Sequence, residues 1–224
     1  MMANKYGNVL TVILVILIIA ILIGAGLLIY NYVVKPRIED NRTIEAIAEF
    51  DRNAGEEEQE EEQENEENTI TTITPDESSG TTNNTVKKKT YYEGFVMIGY
   101  ITIPKTNVKE PILDVVTPDS LDTAVAVLYP SNPKLNQPGN VVIIGHNYRN
   151  GKFFSNNDKL TVGDKIKIKD TTGTELTYTI YQKFQTTEQD TSFYNRDTNG
   201  VAEITLSTCT DDSKARIIIL ARAD

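Results

Sequence analysis

The chain has 224 residues, 39% of them hydrophobic, a formal net charge of −10, one cysteine and one histidine. A single cysteine excludes an internal disulfide and any CxxC metal or redox pair, and no HExxH, P-loop or GxGxxG spacing occurs. The acidity is local: residues 39–93 hold 5 Lys+Arg against 17 Asp+Glu, whereas residues 94–224 hold 14 against 15.

After a short tail (residues 1–8), Val9–Tyr30 runs for 22 residues without a charge. At ~1.5 Å per residue this spans a ~30 Å hydrocarbon core. A cleaved signal peptide has an apolar region of only ~7–15 residues ending at a small-residue site. Here Leu27-Leu28-Ile29-Tyr30 continues past the small cluster Gly24-Ala25-Gly26. The segment is therefore expected to be an uncleaved transmembrane anchor. Lys5 on one side and Lys35 and Arg37 on the other do not fix its orientation. Residues 31–93 are expected to form an acidic spacer. Its run Glu56–Glu67 and the Thr/Asn/Ser/Gly stretch to Thr85 have too few apolar residues to offset chain entropy, so most of it should be disordered. Near its start, residues 37–50 place Ile38, Ile44, Ile47 and Ala48 loosely at helical spacing.

From Gly94 to the end the pattern is that of short strands. Gly99–Ile103 ends at Pro104. Val108–Val115 contains Pro111, which suits an edge or a bulge. Ser120 is expected to cap a helix in which Leu121, Ala124, Val125 and Leu128 fall at i, i+3, i+4 and i+7, stopped by Pro130. Val141–Ile144 reads as a strand buried on both faces. A second short helix is expected over Phe153–Leu160. Lys165–Lys169 and Leu176–Ile180 alternate as half-buried strands, Thr186–Gly200 is a long loop, and Ala202–Cys209 and Arg216–Ala221 are the last two strands. Seven or eight short strands with little helix predict an all-β closed barrel or sandwich.

Three polar residues fall at the ends of these strands. In Ala202–Cys209, parity puts Glu203, Thr205, Ser207 and Cys209 on one face, so the lone thiol lies on a polar face at a strand terminus. A buried, inert thiol is the alternative. His146 follows Val141–Gly145 and is the one imidazole available to a nucleophile. Arg216 opens the last strand seven positions after Cys209, so a hairpin would lay it beside the thiol, where its rigid fork could hold a substrate carbonyl. Arg149 and Arg222 are competing arginines. Asp211 and Asp212 read as turn residues, and no acidic partner for His146 stands out.

Thr205-Leu206-Ser207-Thr208-Cys209 resembles the TLxTC signature of sortases, the cysteine transpeptidases of Gram-positive cell surfaces. Gly145-His146-Asn147 upstream, Arg216 downstream and the N-terminal anchor agree with it, over roughly residues 94–224. The resemblance implies an eight-stranded β-barrel with one or two short helices, and a catalytic domain over 94–224 on the extracellular face of the membrane. It implies catalytic roles for His146, Cys209 and Arg216, and Thr208 is a candidate for orienting substrate. Partners would be surface proteins with a C-terminal sorting signal, and a cell-wall peptide amine or pilin lysine as acceptor; nucleic acid is not among them. The chemistry needs no metal or organic cofactor, although Glu188-Gln189-Asp190 matches in position a loop that binds Ca²⁺ in some sortases. Gly145–Phe154 is similar to class B members, while the short Cys209-to-Arg216 loop departs from that class. The reading from another class is a non-catalytic adhesion or receptor β-domain on an acidic stalk, which predicts a buried, alkylation-resistant Cys209.

Overall fold

The computed structural model describes residues 3–54, 57–58, 86–128 and 134–224. The acidic tract expected to be disordered lies almost wholly outside them, as does Pro130. The chain divides into two units, Met1–Glu45 and Ala46–Asp224.

In the first unit, α1 (Ala3–Ile29) contains Leu10–Ile29, a stretch long and apolar enough to cross a membrane and not buried against other protein. A π-helical turn, Tyr30–Val34, joins it to α2 (Lys35–Asn53), whose first half belongs to the same unit.

The second unit begins with the end of α2, where Ile47 and Phe50 are buried against Met97 and Tyr100. The expected helical spacing over 37–50 is thus realised in a longer helix, and its apolar stripe divides: Ile47 is buried and Ile44 is exposed. A short lead strand, Thr90–Tyr92, pairs with the first long strand.

Eight strands close the barrel: β1 (Phe95–Ile103), β2 (Val108–Leu113), β3 (Val125–Val127), β4 (Gly139–Ile144), β5 (Lys165–Asp170), β6 (Glu175–Thr186), β7 (Ala202–Cys209) and β8 (Arg216–Ala223). Their order is β1-β2-β3-β4-β7-β8-β6-β5, and β5 pairs back onto β1. Closure removes the unpaired edges that an open sheet would expose. Gly99 sits at the closing seam beside a bulge in β1. A Cβ there would lie 2.5 Å from both Leu135 Cδ1 and Lys169 O, so only glycine lets the strands meet.

Two expected helices are corrected. The helix starting at Ser120 is α3 (Pro118–Thr123), capped by Thr117 with Ser120 at its third position in a capping box. It stops at Ala124, which is extended (φ −159°, ψ −168°), and Val125–Val127 continues as β3, parallel to β2. Val125, Ala126 and Val127 are all buried, and pairing β-branched residues into the barrel outweighs a helical spacing of apolar positions. Over Phe153–Leu160 only Asn157–Lys159 is helical, as one 3₁₀ turn, and Phe153 itself (φ 52°) lies outside the right-handed helical region. Pro111 lies inside β2 rather than at a sheet edge. The parallel ladder to β3 starts only at Ile112, so the missing N–H interrupts no pairing there.

The barrel interior is filled by alternate residues such as Ile101, Ile112, Val141, Ile143, Ile166, Ile204, Leu206, Ile217 and Ile219. The outward side of β4 and β8 is also dry: Val142, Ile218 and Leu220 are buried beneath Phe193 of the loop between β6 and β7. This explains why β4 and β8 read as unbroken apolar runs instead of alternating. The polar face of β7 is covered as well: Glu203, Thr205 and Ser207 are buried.

Candidate active site

β7 runs parallel to β4 and antiparallel to β8. The C-terminal ends of β7 and β4 and the N-terminal end of β8 therefore share one rim of the barrel. Cys209 ends β7, His146 lies two residues past the end of β4, and Arg216 starts β8 directly across the ladder from Cys209.

That register brings the arginine to the thiol. Arg216 Nη1 donates to Cys209 Sγ at 2.7 Å, and Cys209 is half-buried. A fixed cation aimed at sulfur stabilises negative charge there. Arg216 Nη2 lies 3.7 Å from Glu188 Oε1, on the loop after β6. Arg149 instead donates to Ser213 Oγ at 3.0 Å, and Arg222 pairs with Glu203 at the far end of β8. Of the three arginines, Arg216 is the one that meets Cys209.

His146 is held to this rim through its neighbours. Gly145 N–H donates to Ser207 O at 3.2 Å. Asn147 Nδ2 donates to Cys209 O at 3.1 Å and to Asp211 Oδ1 at 2.8 Å, tying the histidine loop to the end of β7. Gly145 is demanded by packing: a Cβ would lie 2.8 Å from Phe154 Cδ2 and 2.8 Å from Val125 Cγ1.

The structure adds two residues that the sequence did not single out. Asp122 Oδ1, on α3, lies 3.6 Å from His146 Nε2, an ion-pair rather than a hydrogen-bond distance. The same oxygen accepts a hydrogen bond from Tyr148 Oη, and the Tyr148 ring lies 5.0 Å from the imidazole. Burial, then the hydrogen bond to Asp122, push the Tyr148 hydroxyl up to about 12. Asp122 stands 24 positions before the histidine on a short polar helix, so no local spacing could have linked them.

Cys209, His146 and Arg216 line one groove of about 260 Å³. It is also lined by Val116, Leu121 and Ile144, and by Glu188, Asp190, Phe193 and Tyr194 from the β6–β7 loop. Thr208 is not among its lining residues. It points to the opposite face from Cys209, is buried, and its hydroxyl has no hydrogen-bond partner. In the Glu188-Gln189-Asp190 stretch, Glu188 faces Arg216, while Asp190 accepts hydrogen bonds from Thr186 Oγ1 and Ser192 N. Among the described residues no group of three or more His, Cys, Asp or Glu side chains is placed to hold a metal ion.

A thiol paired with a fixed cation, and an imidazole on the same groove, form a set suited to acyl transfer. Comparison with known proteins bears on the family and the fold. Residues 101–224 match the model of the sortase domain. Among solved structures, a Clostridium perfringens sortase D5 transpeptidase is 33% identical, with 57% of this chain and 79% of that chain covered and a TM-score of 0.52. A pilus-related sortase C of Group B Streptococcus is 26% identical, covering 57% and 67%, also at 0.52. Sortase A from Corynebacterium diphtheriae shares the fold at 24% identity and a TM-score of 0.52; the match covers 58% of this chain and 61% of that one. No curated protein matches the chain.

Proposed function

The chain belongs to the sortase family, and on that premise we propose that it is a membrane-anchored cysteine transpeptidase using Cys209, His146 and Arg216. The observation that carries the proposal is the 2.7 Å contact between Arg216 Nη1 and Cys209 Sγ in the groove that His146 also lines.

Cys209, as the thiolate, attacks the scissile carbonyl carbon of a C-terminal sorting signal. Arg216 donates to the oxygen that becomes negative in the tetrahedral intermediate. The C–N bond breaks, the protonated His146 gives its proton to the departing amine, and a thioester to Cys209 remains. A second amine, from a cell-wall peptide or a pilin lysine, attacks the thioester carbonyl carbon, His146 takes its proton, and the C–S bond breaks to release Cys209 as the thiolate, restoring the starting pair. Asp122 orients the imidazole and Tyr148 orients Asp122. Leu10–Ile29 anchors the chain in the membrane with residues 94–224 on the extracellular face.

The test incubates the protein with a panel of sorting peptides and an amine acceptor, with the acyl-enzyme and products followed by mass. Wild type accumulates a thioester on Cys209 and forms the amide product. Cys209→Ala forms no thioester, and His146→Ala loses about 10²–10⁴-fold in turnover. Near-native transpeptidation by either variant removes that residue from the mechanism. A wild-type thiol that resists alkylation and acylates no peptide would instead identify a non-catalytic surface domain.

A further inference from the structure

Residues 187–201, between β6 and β7, form no regular element, yet they supply Glu188, Asp190, Phe193 and Tyr194 to the groove. A loop of this length with no ladder of its own has to be held by something else.

Asn140 in β4 holds it. The side chain is buried (5% exposed), and its Nδ2 donates to both Phe193 O and Tyr194 O, each at 2.9 Å. Its Oδ1 accepts from Thr205 Oγ1 at 2.8 Å and from Arg196 Nη2 at 3.1 Å. Both amide donors and both acceptor sites of this one side chain are therefore used.

Arg196, on the same loop, carries the fixation deeper. Its Nη2 lies 2.8 Å from Glu203 Oε2, and its Nη1 donates to Tyr181 Oη at 2.6 Å. Tyr181 Oη in turn donates to Glu203 Oε2 at 2.8 Å, and Arg222 Nε donates to Glu203 Oε1 at 2.8 Å. Glu203 is 2% exposed, so this is a buried carboxylate whose charge is met by two guanidiniums and a phenol. Cys209, His146 and Arg216 make none of these contacts.

We propose that Asn140, backed by the Arg196–Glu203 pair, is a positioning device that holds the β6–β7 loop as a preformed wall of the substrate groove. The peptide then meets Phe193 and Tyr194 already in place, and their ordering is not charged against binding. The proposal rests on reading the groove as the peptide site. It predicts that the device acts on substrate affinity and leaves the nucleophile alone.

The test is Asn140→Asp in the full chain, which keeps the side-chain shape but removes both N–H donors to the loop carbonyls. Arg196→Lys is the second variant, keeping the charge toward Glu203 but not the fork that reaches Tyr181 and Asn140 together. Amide hydrogen exchange over residues 187–201 should quicken about ten-fold in Asn140→Asp, and by less in Arg196→Lys. KM for the acyl-donor peptide should rise about ten-fold, the scale expected when two side chains are ordered on binding, with kcat changed less than about three-fold. Alkylation of Cys209 by a small neutral reagent should keep its wild-type rate in both. Unchanged loop exchange in both variants overturns the proposal, and so does a fall in kcat at constant KM. If Asn140→Asp does not fold, Arg196→Lys alone decides by the same criteria. If wild type acylates no peptide, the transpeptidase reading fails, and the exchange measurement still decides whether Asn140 and Arg196 hold the loop.

Discussion

Replacing Arg216 tests the site most sharply, because its two terminal nitrogens face different neighbours. Nη1 is 2.7 Å from Cys209 Sγ, while Nη2 lies 3.7 Å from Glu188 Oε1, another residue lining the groove. A guanidinium can serve sulfur and a carbonyl oxygen together; an ammonium is a point charge and cannot span both in a fixed plane. Arg216→Lys therefore keeps much of the support for negative charge on sulfur and loses the donor to the oxyanion. Loss of one such donor is worth about 10²–10³ in rate, or about 2.7–4 kcal/mol. Arg216→Ala loses the charge beside sulfur as well and should fall further. The assay is single-turnover acyl-enzyme formation at saturating peptide, followed by intact mass, with alkylation of Cys209 measured in parallel. Arg216→Lys should alkylate near the wild-type rate yet acylate about 10²-fold more slowly; Arg216→Ala should be impaired in both. Arg149→Ala is the control, since Arg149 reaches Ser213 and not the thiol. Arg222→Ala is not a neutral control, because it leaves the buried Glu203 carboxylate one partner short. Normal acylation by Arg216→Ala, or an equal loss in Arg149→Ala, would refute the assignment.

Gly145→Ala should impair turnover while leaving Cys209 alkylation intact, because the added methyl meets Phe154 and Val125 at 2.8 Å and displaces the start of the histidine loop; the overpacking should also cost about 1–3 kcal/mol in a urea titration. Glu203 gives a signed pH dependence. Burial alone would raise its carboxyl, but hydrogen bonds from Arg222, Tyr181 and Arg196 outweigh burial and hold it below the ordinary 4.5. The stability it contributes is present above the unfolded value of 4.5 and is lost as pH falls through the lower folded value. Glu203→Gln should therefore be less stable at pH 7, by about 3 kcal/mol, and show a flatter acid limb than wild type; parallel acid limbs would exclude Glu203 as a contributor. A fragment starting near Thr90 should still unfold cooperatively as a soluble monomer. It should be less stable than one starting at Ala46, and Phe50→Ala in the longer fragment should cost about 3 kcal/mol, because Phe50 packs edge-on to Tyr100 with ring centroids 6.0 Å apart. Identical melting of the two fragments would show that the end of α2 contributes nothing to the fold.

Features that rest on local pattern were legible in the residues alone. Strict alternation placed Lys165–Lys169 as a half-buried strand, which the structure extends to Asp170, and Ala202–Cys209 has the same bounds in sequence and structure. The polar residues that follow β4, end β7 and begin β8 could be picked out because each follows or opens an apolar run, and because the chain offers one thiol and one imidazole. Tertiary structure decided what depends on partners distant along the chain. Leu121, Ala124, Val125 and Leu128 fall at helical spacing, yet Val125–Val127 became a strand because β2 and β4 flank it. Thr205 and Ser207, polar by parity, are buried because a loop returns over them, and Asp122 reaches His146 only because α3 sits against the rim that β4 ends on. Periodicity reports which face of an element is apolar. It does not report what will cover the other face, because the covering residues lie tens of positions away and are brought there by closure of the barrel.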